Sequence, residues 1–257
     1  TLIIYGCEGV TDVSMLGGVH NLDLSYCYNI TDVSALGGVY SLNLARCTGI
    51  TDVSMLGSVH ELNVEHCSNV VDFNCLRNVH SLVLTNIGDI NDLRTVKELR
   101  LHYNDIMPSL TEFKNIKKLS LNNVVANDIA MPTGIHDVTI RACSGFQDVS
   151  ALAESHQLHL YCCTELVDVS MLGNVHNVYI DTCPCIVDVS MLRSVHELTL
   201  FNCFGVTDVS MLGSVHELTI FECENVTDVS MLGGVHKLDL GRCKKITDVS
   251  MLGSVHS

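Results

Sequence analysis

The sequence has no tryptophan, three prolines and 5% aromatic residues, and only 14 of its 257 residues are lysine or arginine, against 29 aspartates and glutamates. The resulting formal charge of −15 repels phosphate backbones and anionic lipid surfaces, so neither nucleic acid nor a membrane is an expected partner. No apolar run approaches the roughly 18 residues that a membrane helix needs, and the N-terminus lacks a basic start followed by an apolar stretch. A soluble chain is therefore expected. Charged residues make up only 17%, too few and too regularly placed for a disordered chain. In their place stand 47% apolar residues, 13 cysteines, 13 histidines and 18 glycines, a composition that asks for a repeat.

The repeat has a period of 20 residues, visible where TDVS text returns at Thr11, Thr51, Thr207, Thr227 and Thr247. The composite unit reads VHxLxLxxCxx[IV]TDVSMLG[GS], and thirteen LxL cores begin at Leu2, Leu22, Leu42, Leu62, Leu82, Leu99, Leu119, Val138, Leu158, Val178, Leu198, Leu218 and Leu238. The spacing slips only at the fifth step, 17 residues, and the seventh, 19. In one unit, Leu22 and Leu24 alternate as in a half-buried strand, while Cys27, Ile30, Val33, Leu36 and Val39 recur every three residues, as around a closed coil. One coil cannot form a core by itself, but stacked coils can. Twenty residues leave no room for a multi-turn helix, so the return side should be extended or 3₁₀. The expectation is one solenoid over residues 1–257, about thirteen right-handed coils on one parallel sheet, with irregular repeats at 86–136.

This pattern, LxLxxC or LxLxxN followed by an inward Ile and a second apolar return, resembles the leucine-rich repeat along the whole chain. The stretch from Cys47 to Asp52 is similar to the cysteine-containing subclass of F-box-type proteins, and DVSML to the return of short bacterial and phosphatase-regulator repeats. Similar text occurs in leucine-rich repeat proteins of kinetoplastid protists and amoebal giant viruses. The sixth repeat departs from the cysteine form at Asn104, and Ile87 and Val124 replace cysteine in the fifth and seventh.

Three files of residues invite chemistry and have plainer readings. Ten cysteines share one rung (Cys7, Cys27, Cys47, Cys67, Cys143, Cys163, Cys183, Cys203, Cys223, Cys243). Neighbouring strands are close enough for disulfides, but rung side chains point in parallel into the core, so buried reduced thiols and a reducing intracellular compartment are expected. Cys75, Cys162 and Cys185 lack the paired spacing of a zinc site. Ten histidines, His20 to His256, recur before the first strand leucine, with Tyr40, Lys97 and Lys117 substituting. They read as stacked neutral rings hydrogen-bonded to backbone, without a metal. The recurring aspartates from Asp12 to Asp248 read as turn caps, since calcium-binding glycine-rich nonapeptides are absent. The orientation of the recurring methionines is open.

Function is expected where the repeats differ, on the two outward strand positions. The position between the apolar pair carries Arg100, His159 and Tyr179, and the position after it carries His102, Arg141, Tyr161, Phe201 and Phe221. Tyr161, Tyr179, Phe201 and Phe221 are expected to form one exposed aromatic strip of the kind enriched at binding hot spots. Arg100, Lys118 and Arg141 would form a basic centre beside it. These nine residues are the candidate partner-binding set. No nucleophile–base constellation rises above the repeat, so no catalytic residue, metal or cofactor is assigned. The reading is a non-catalytic protein-recognition scaffold. The alternative is a structural protein that associates end to end, because neither terminal coil turns polar.

Overall fold

The computed structural model describes residues 1–85, 93, 95–103, 110, 111, 113–125 and 131–255. Ile87, Asn104 and His256 lie outside this set. The chain divides into two compact units, Thr1–Val124 and Val125–Ser257. The first unit carries β1 (Leu2–Ile3), β2 (Asn21–Asp23), β3 (Ser41–Asn43), β4 (Glu61–Asn63), β5 (Ser81–Thr85), β6 (Glu98–His102) and β7 (Lys118–Asn122). The second carries β8 (Asp137–Arg141), β9 (Gln157–Tyr161), β10 (Asn177–Asp181), β11 (Glu197–Phe201), β12 (Glu217–Phe221) and β13 (Lys237–Asp239). Within each unit every strand pairs in parallel with the next in the chain, in a register that matches the sequence repeat, as in Leu42 with Leu62 and Leu198 with Leu218.

Each coil is closed by a chain of tight turns that accounts for the three-residue spacing of its apolar groups. The backbone N–H of Cys27 donates to the carbonyl of Leu24, Ile30 to Cys27, Leu36 to Val33 and Val39 to Leu36, at 2.9–3.3 Å. An inward residue thus bonds to the inward residue three before it, and the return side becomes a short 3₁₀ segment such as Ser34–Gly38 or Ser210–Ser214. No α-helix occurs among the described residues. The core repeats coil by coil: Leu42, Leu44, Cys47, Ile50, Val53, Leu56 and Val59 are each at most 1% exposed. Val124 fills the cysteine rung of the seventh repeat and is buried.

Two further local rules shape the strands. Asp23, Asn43, Asn63 and Asp239 turn their Oδ1 atoms back to accept the N–H two residues on, at 2.8–3.1 Å. The strands that contain them, β2, β3, β4 and β13, end after three residues. From β5 to β12 neither Asn nor Asp stands at that position and the strands run five residues, since no side-chain amide or carboxylate there takes the N–H from the ladder. Beyond the strand, one residue per coil enters the left-handed region: Tyr26, Arg46, His66, Tyr103, Asn123, Ala142, Cys162, Thr182, Asn202, Glu222 and Arg242 have φ between 48° and 62°. Its N–H still donates to the next coil, as Arg46 does to Glu65 O at 2.7 Å, while the N–H groups of Cys27, Cys47 and Cys67 bend back to their own coils and that of Cys163 meets Cys183 Sγ at 3.4 Å.

Candidate functional site

The thiol file is part of the core. Cys27 and Cys47 donate to the carbonyls of Ile4 and Leu24 at 3.0 Å, and Cys67 to Leu44 at 3.1 Å. In the second unit the thiols sit between two carbonyls, as Cys223 does at 3.4 Å from Leu200 and 3.6 Å from Phe221. All thirteen cysteines are free. Burial pushes the Cys47 thiol up to about 11 and the Cys67 thiol up to about 12, so both stay protonated at neutral pH. Cys7 departs from the buried expectation and is exposed; its thiol reaches only its own coil, at Tyr5 O, 3.8 Å away.

The histidine file is a stack. In the second unit His136, His156, His176, His196, His216 and His236 lie at ring spacings of 4.6–4.7 Å. In the first, His20, Tyr40, His60 and His80 follow one another at 4.6–4.8 Å. The rings are within 20° of parallel from His20 to His80 and from His196 to His236 and tilted by 31–42° from His136 to His196. His136 and His176 meet the side chains of Asp137 and Asn177 where a backbone partner was expected, and among the described residues no three His, Cys, Asp or Glu side chains converge as metal ligands. The aspartates cap: Asp12, Asp32, Asp52, Asp148, Asp168, Asp188, Asp208, Asp228 and Asp248 each accept the N–H of the serine two residues on, at 2.8–2.9 Å. These bonds hold the carboxyls below the usual range. The methionines point outward: Met171, Met191, Met211 and Met231 are 45–64% exposed, with Val167 and Val187 beside them. Nothing in their spacing distinguished that from an inward turn.

The nine candidate residues separate into groups. In the first unit, Arg100 is exposed on β6, on a cavity shared with Glu61 and Glu98. Lys118 on β7 lies 3.7 Å from Glu98, and His102 Nδ1 is hydrogen-bonded to Glu65 Oε1 at 3.0 Å. The expected positive centre is thus answered by carboxylates in this unit, a pairing hidden in sequence because Glu65 and His102 are 37 residues apart.

In the second unit, the guanidinium of Arg141 at the end of β8 lies over the ring of Tyr161 on β9, 4.0 Å from its centroid. Tyr161 meets Tyr179 of β10 at 5.2 Å, and His159 meets Tyr179 at 5.7 Å and the Tyr161 hydroxyl at 3.2 Å. Burial lowers the pKa of His159, which keeps it neutral. Phe201 and Phe221, paired in register on β11 and β12, stack at 5.1 Å and 11°. Phe221 leans over Gly241, where an added Cβ would stand 2.5 Å from the ring, and the Arg242 guanidinium lies 5.4 Å from the Phe221 centroid.

The expectation of one exposed aromatic strip is corrected in two respects. The four rings are half-buried, because each leans on a neighbour. No ring contact joins Tyr179 to Phe201 among the described residues: Asp181 takes the position in register with both Tyr161 and Phe201. Two aromatic groups therefore flank one carboxylate.

No protein-family model matches the chain, and no curated protein matches it. Among solved structures, a TLR13–ssRNA13 complex is similar with a TM-score of 0.54 at 16% identity, over 92% of this chain and 46% of that one. This chain thus spans about half of TLR13's length. The functional domain of InlJ from Listeria monocytogenes, described as including a cysteine ladder, gives 0.49 at 13% identity over 91% and 70% of the two chains. A leucine-rich repeat protein of Leptospira interrogans gives 0.41 at 13% identity over 93% and 92%. Together with the parallel strands, inward LxL pairs and 3₁₀ returns, the likeness to the TLR13 structure establishes the leucine-rich repeat fold.

Proposed function

We propose that this chain is a non-catalytic recognition scaffold that holds an extended protein segment against the outward sheet face of its second unit, in a reducing intracellular setting. The observation that carries this reading is the Arg141–Tyr161–Tyr179–His159 cluster. One face of the guanidinium is fixed on a tyrosine ring, and Arg141 has no ion pair among the described residues. Its N–H edge can therefore grip a carboxylate at two points. Two strand spacings on, at about 10 Å, the Phe201–Phe221 pair offers an apolar seat, and Asp181 between them favours a donor or cation. The complementary segment is of mixed character: an acidic residue, a polar or basic middle and an apolar side chain. Lys118 and His102, already engaged by Glu98 and Glu65, stand outside this reading, and Arg100 shares its cavity with two glutamates. Buried protonated thiols on backbone carbonyls support the reducing setting.

Selection of a displayed peptide library on the folded chain tests the reading. Peptides spacing Asp or Glu about three residues from an apolar side chain should be enriched, since an extended chain advances about 3.3 Å per residue. The double variant Tyr161→Ala/Tyr179→Ala should weaken the selected peptides by at least about 30-fold, the loss expected of a hot spot near 2 kcal/mol. Unchanged binding in the variant truncating Tyr161, Tyr179, Phe201 and Phe221 to alanine would remove this face from consideration.

A further inference from the structure

Polar groups on neighbouring coils of the first unit line a cavity beyond the ends of the strands, away from the aromatic face. The left-handed residues of three successive coils are Tyr26, Arg46 and His66, with φ of 62°, 62° and 57°. Two residues further along each coil stand Tyr28, Thr48 and Ser68. Strands β2, β3 and β4 pair residue for residue at the 20-residue repeat, so these residues form two parallel rows with a step of about 4.8 Å. Arg46, His66, Tyr28, Thr48 and Ser68, with Thr85, line a cavity of about 290 Å³, near the lower end of the range for small-ligand sites, about 300 Å³.

The two nitrogen-bearing side chains are held in place and have polar atoms to spare. The Arg46 guanidinium lies 5.3 Å from the centroid of Tyr26 and has no ion pair among the described residues. The His66 ring lies 5.3 Å from that of Tyr103, and its backbone N–H donates to Thr85 Oγ1 at 2.7 Å. His66 Nε2 is buried without a hydrogen-bond partner. The nearby carboxylate oxygen, Glu65 Oε1, is 3.6 Å from it and is engaged by His102 at 3.0 Å. A buried polar nitrogen left unmatched costs about 1–3 kcal/mol, which a bound acceptor would recover. Charge points to the same class of ligand. Three other cavities, on β3–β6, at Val187–Leu212 and at Thr31–Met55, are lined by aspartate or glutamate, whereas this one is lined by an arginine and no carboxylate.

We propose that this cavity binds a small oxyanion, a phosphate or carboxylate group, held by the N–H fork of Arg46, by hydroxyls of Tyr28, Thr48 and Ser68, and by a hydrogen bond donated from His66 Nε2. The site is independent of the sheet-face reading, and either can fail alone. Calorimetric titration of the full chain with inorganic phosphate and, separately, with acetate, at ionic strength fixed by sodium chloride, gives the test, with side-chain and amide NMR to locate the ligand. Saturable binding is expected, with shifts at the His66 imidazole and at Thr48 and Ser68. Arg46→Gln should weaken it at least about tenfold, as loss of a charge-assisted hydrogen bond does. Arg46→Lys, which keeps the charge and loses the fork, should fall between, and Arg141→Gln should leave it unchanged. Phosphate alone binding identifies a phosphate site, and acetate binding as well extends it to carboxylates. The Arg46 side chain is exposed, so Arg46→Gln should retain the wild-type circular dichroism. If it unfolds, Ser68→Ala replaces it in the same titration, with a severalfold loss expected. Absence of saturable binding by either anion, or binding unaltered in the folded variant, would overturn the proposal.

Discussion

A cysteine suits its rung because the thiol is small enough for a coil 20 residues long and still offers a weak donor to a carbonyl that the turn leaves with a spare lone pair. Its chemistry is suppressed by the same burial. With Cys47 and Cys67 pushed up to about 11 and 12, the reactive thiolate is scarce at pH 8. In the folded chain, a thiol reagent should modify Cys7, Cys162 and Cys185 quickly and the half-buried Cys75 slowly; the nine buried cysteines should react only on unfolding. Rapid labelling of Cys47 in the native state, read by mass spectrometry, would contradict this. The left-handed residue makes a second case at this scale. Ala142 has φ 48° and donates its N–H to Tyr161 O at 2.8 Å. A side chain there costs about 1–2 kcal/mol, while glycine loses about 0.5–1 kcal/mol more backbone entropy on folding. Ala142→Gly should therefore raise stability by about 0.5–1 kcal/mol, measurable by urea denaturation. A loss of stability would show that the coil does not strain this residue.

At the scale of the strand and its return, what could be read in advance depended on how many neighbours decide a position. Leu22, Leu24, Cys27 and Ile30 are fixed by their own coil, so their burial was legible from spacing alone. The aromatic face was legible only as a list of outward residues: the division at Asp181 and the lean of Phe221 over Gly241 depend on which residue the next strand supplies. The engagement of His102 by Glu65 depends on two coils at once. Methionine was illegible for another reason, because a flexible thioether fills a core as readily as it lies on a surface. The return side settles it, since the 3₁₀ turn directs Leu212 inward and leaves Met211 outside. Mild peroxide should then convert Met171, Met191, Met211 and Met231 to sulfoxides while the melting temperature changes little. A cooperative loss of structure on oxidation would mean that these side chains support the coil.

Across the whole molecule, repetition multiplies small local effects, and the aspartate caps are the clearest instance. Nine carboxylates, from Asp12 to Asp248, have pKa values depressed by hydrogen bonds from the serine two residues on. A group whose pKa is lower when folded stabilises the fold above its unfolded value, near 3.9, and the contribution disappears as pH falls through the folded value. Each cap is exposed and individually weak, but all nine titrate in the same window. A competing effect acts at higher pH, where the charge of −15 repels itself. Lowering the pH from 7 toward the isoelectric point near 5.1 relieves that repulsion. The part of the acid limb of a melting-temperature profile that these caps cause should therefore appear below about pH 4 and steepen there, separate from the smaller loss at His159, whose lowered pKa costs stability below about pH 6.5. Replacing Asp168, Asp188, Asp208 and Asp228 together by asparagine keeps an oxygen for each serine N–H and removes the titration. That variant should be less stable than wild type at pH 6, where the charged caps are stronger acceptors, and should lose less between pH 4 and pH 2. An acid limb of unchanged slope in the variant would place the acid sensitivity in other carboxylates.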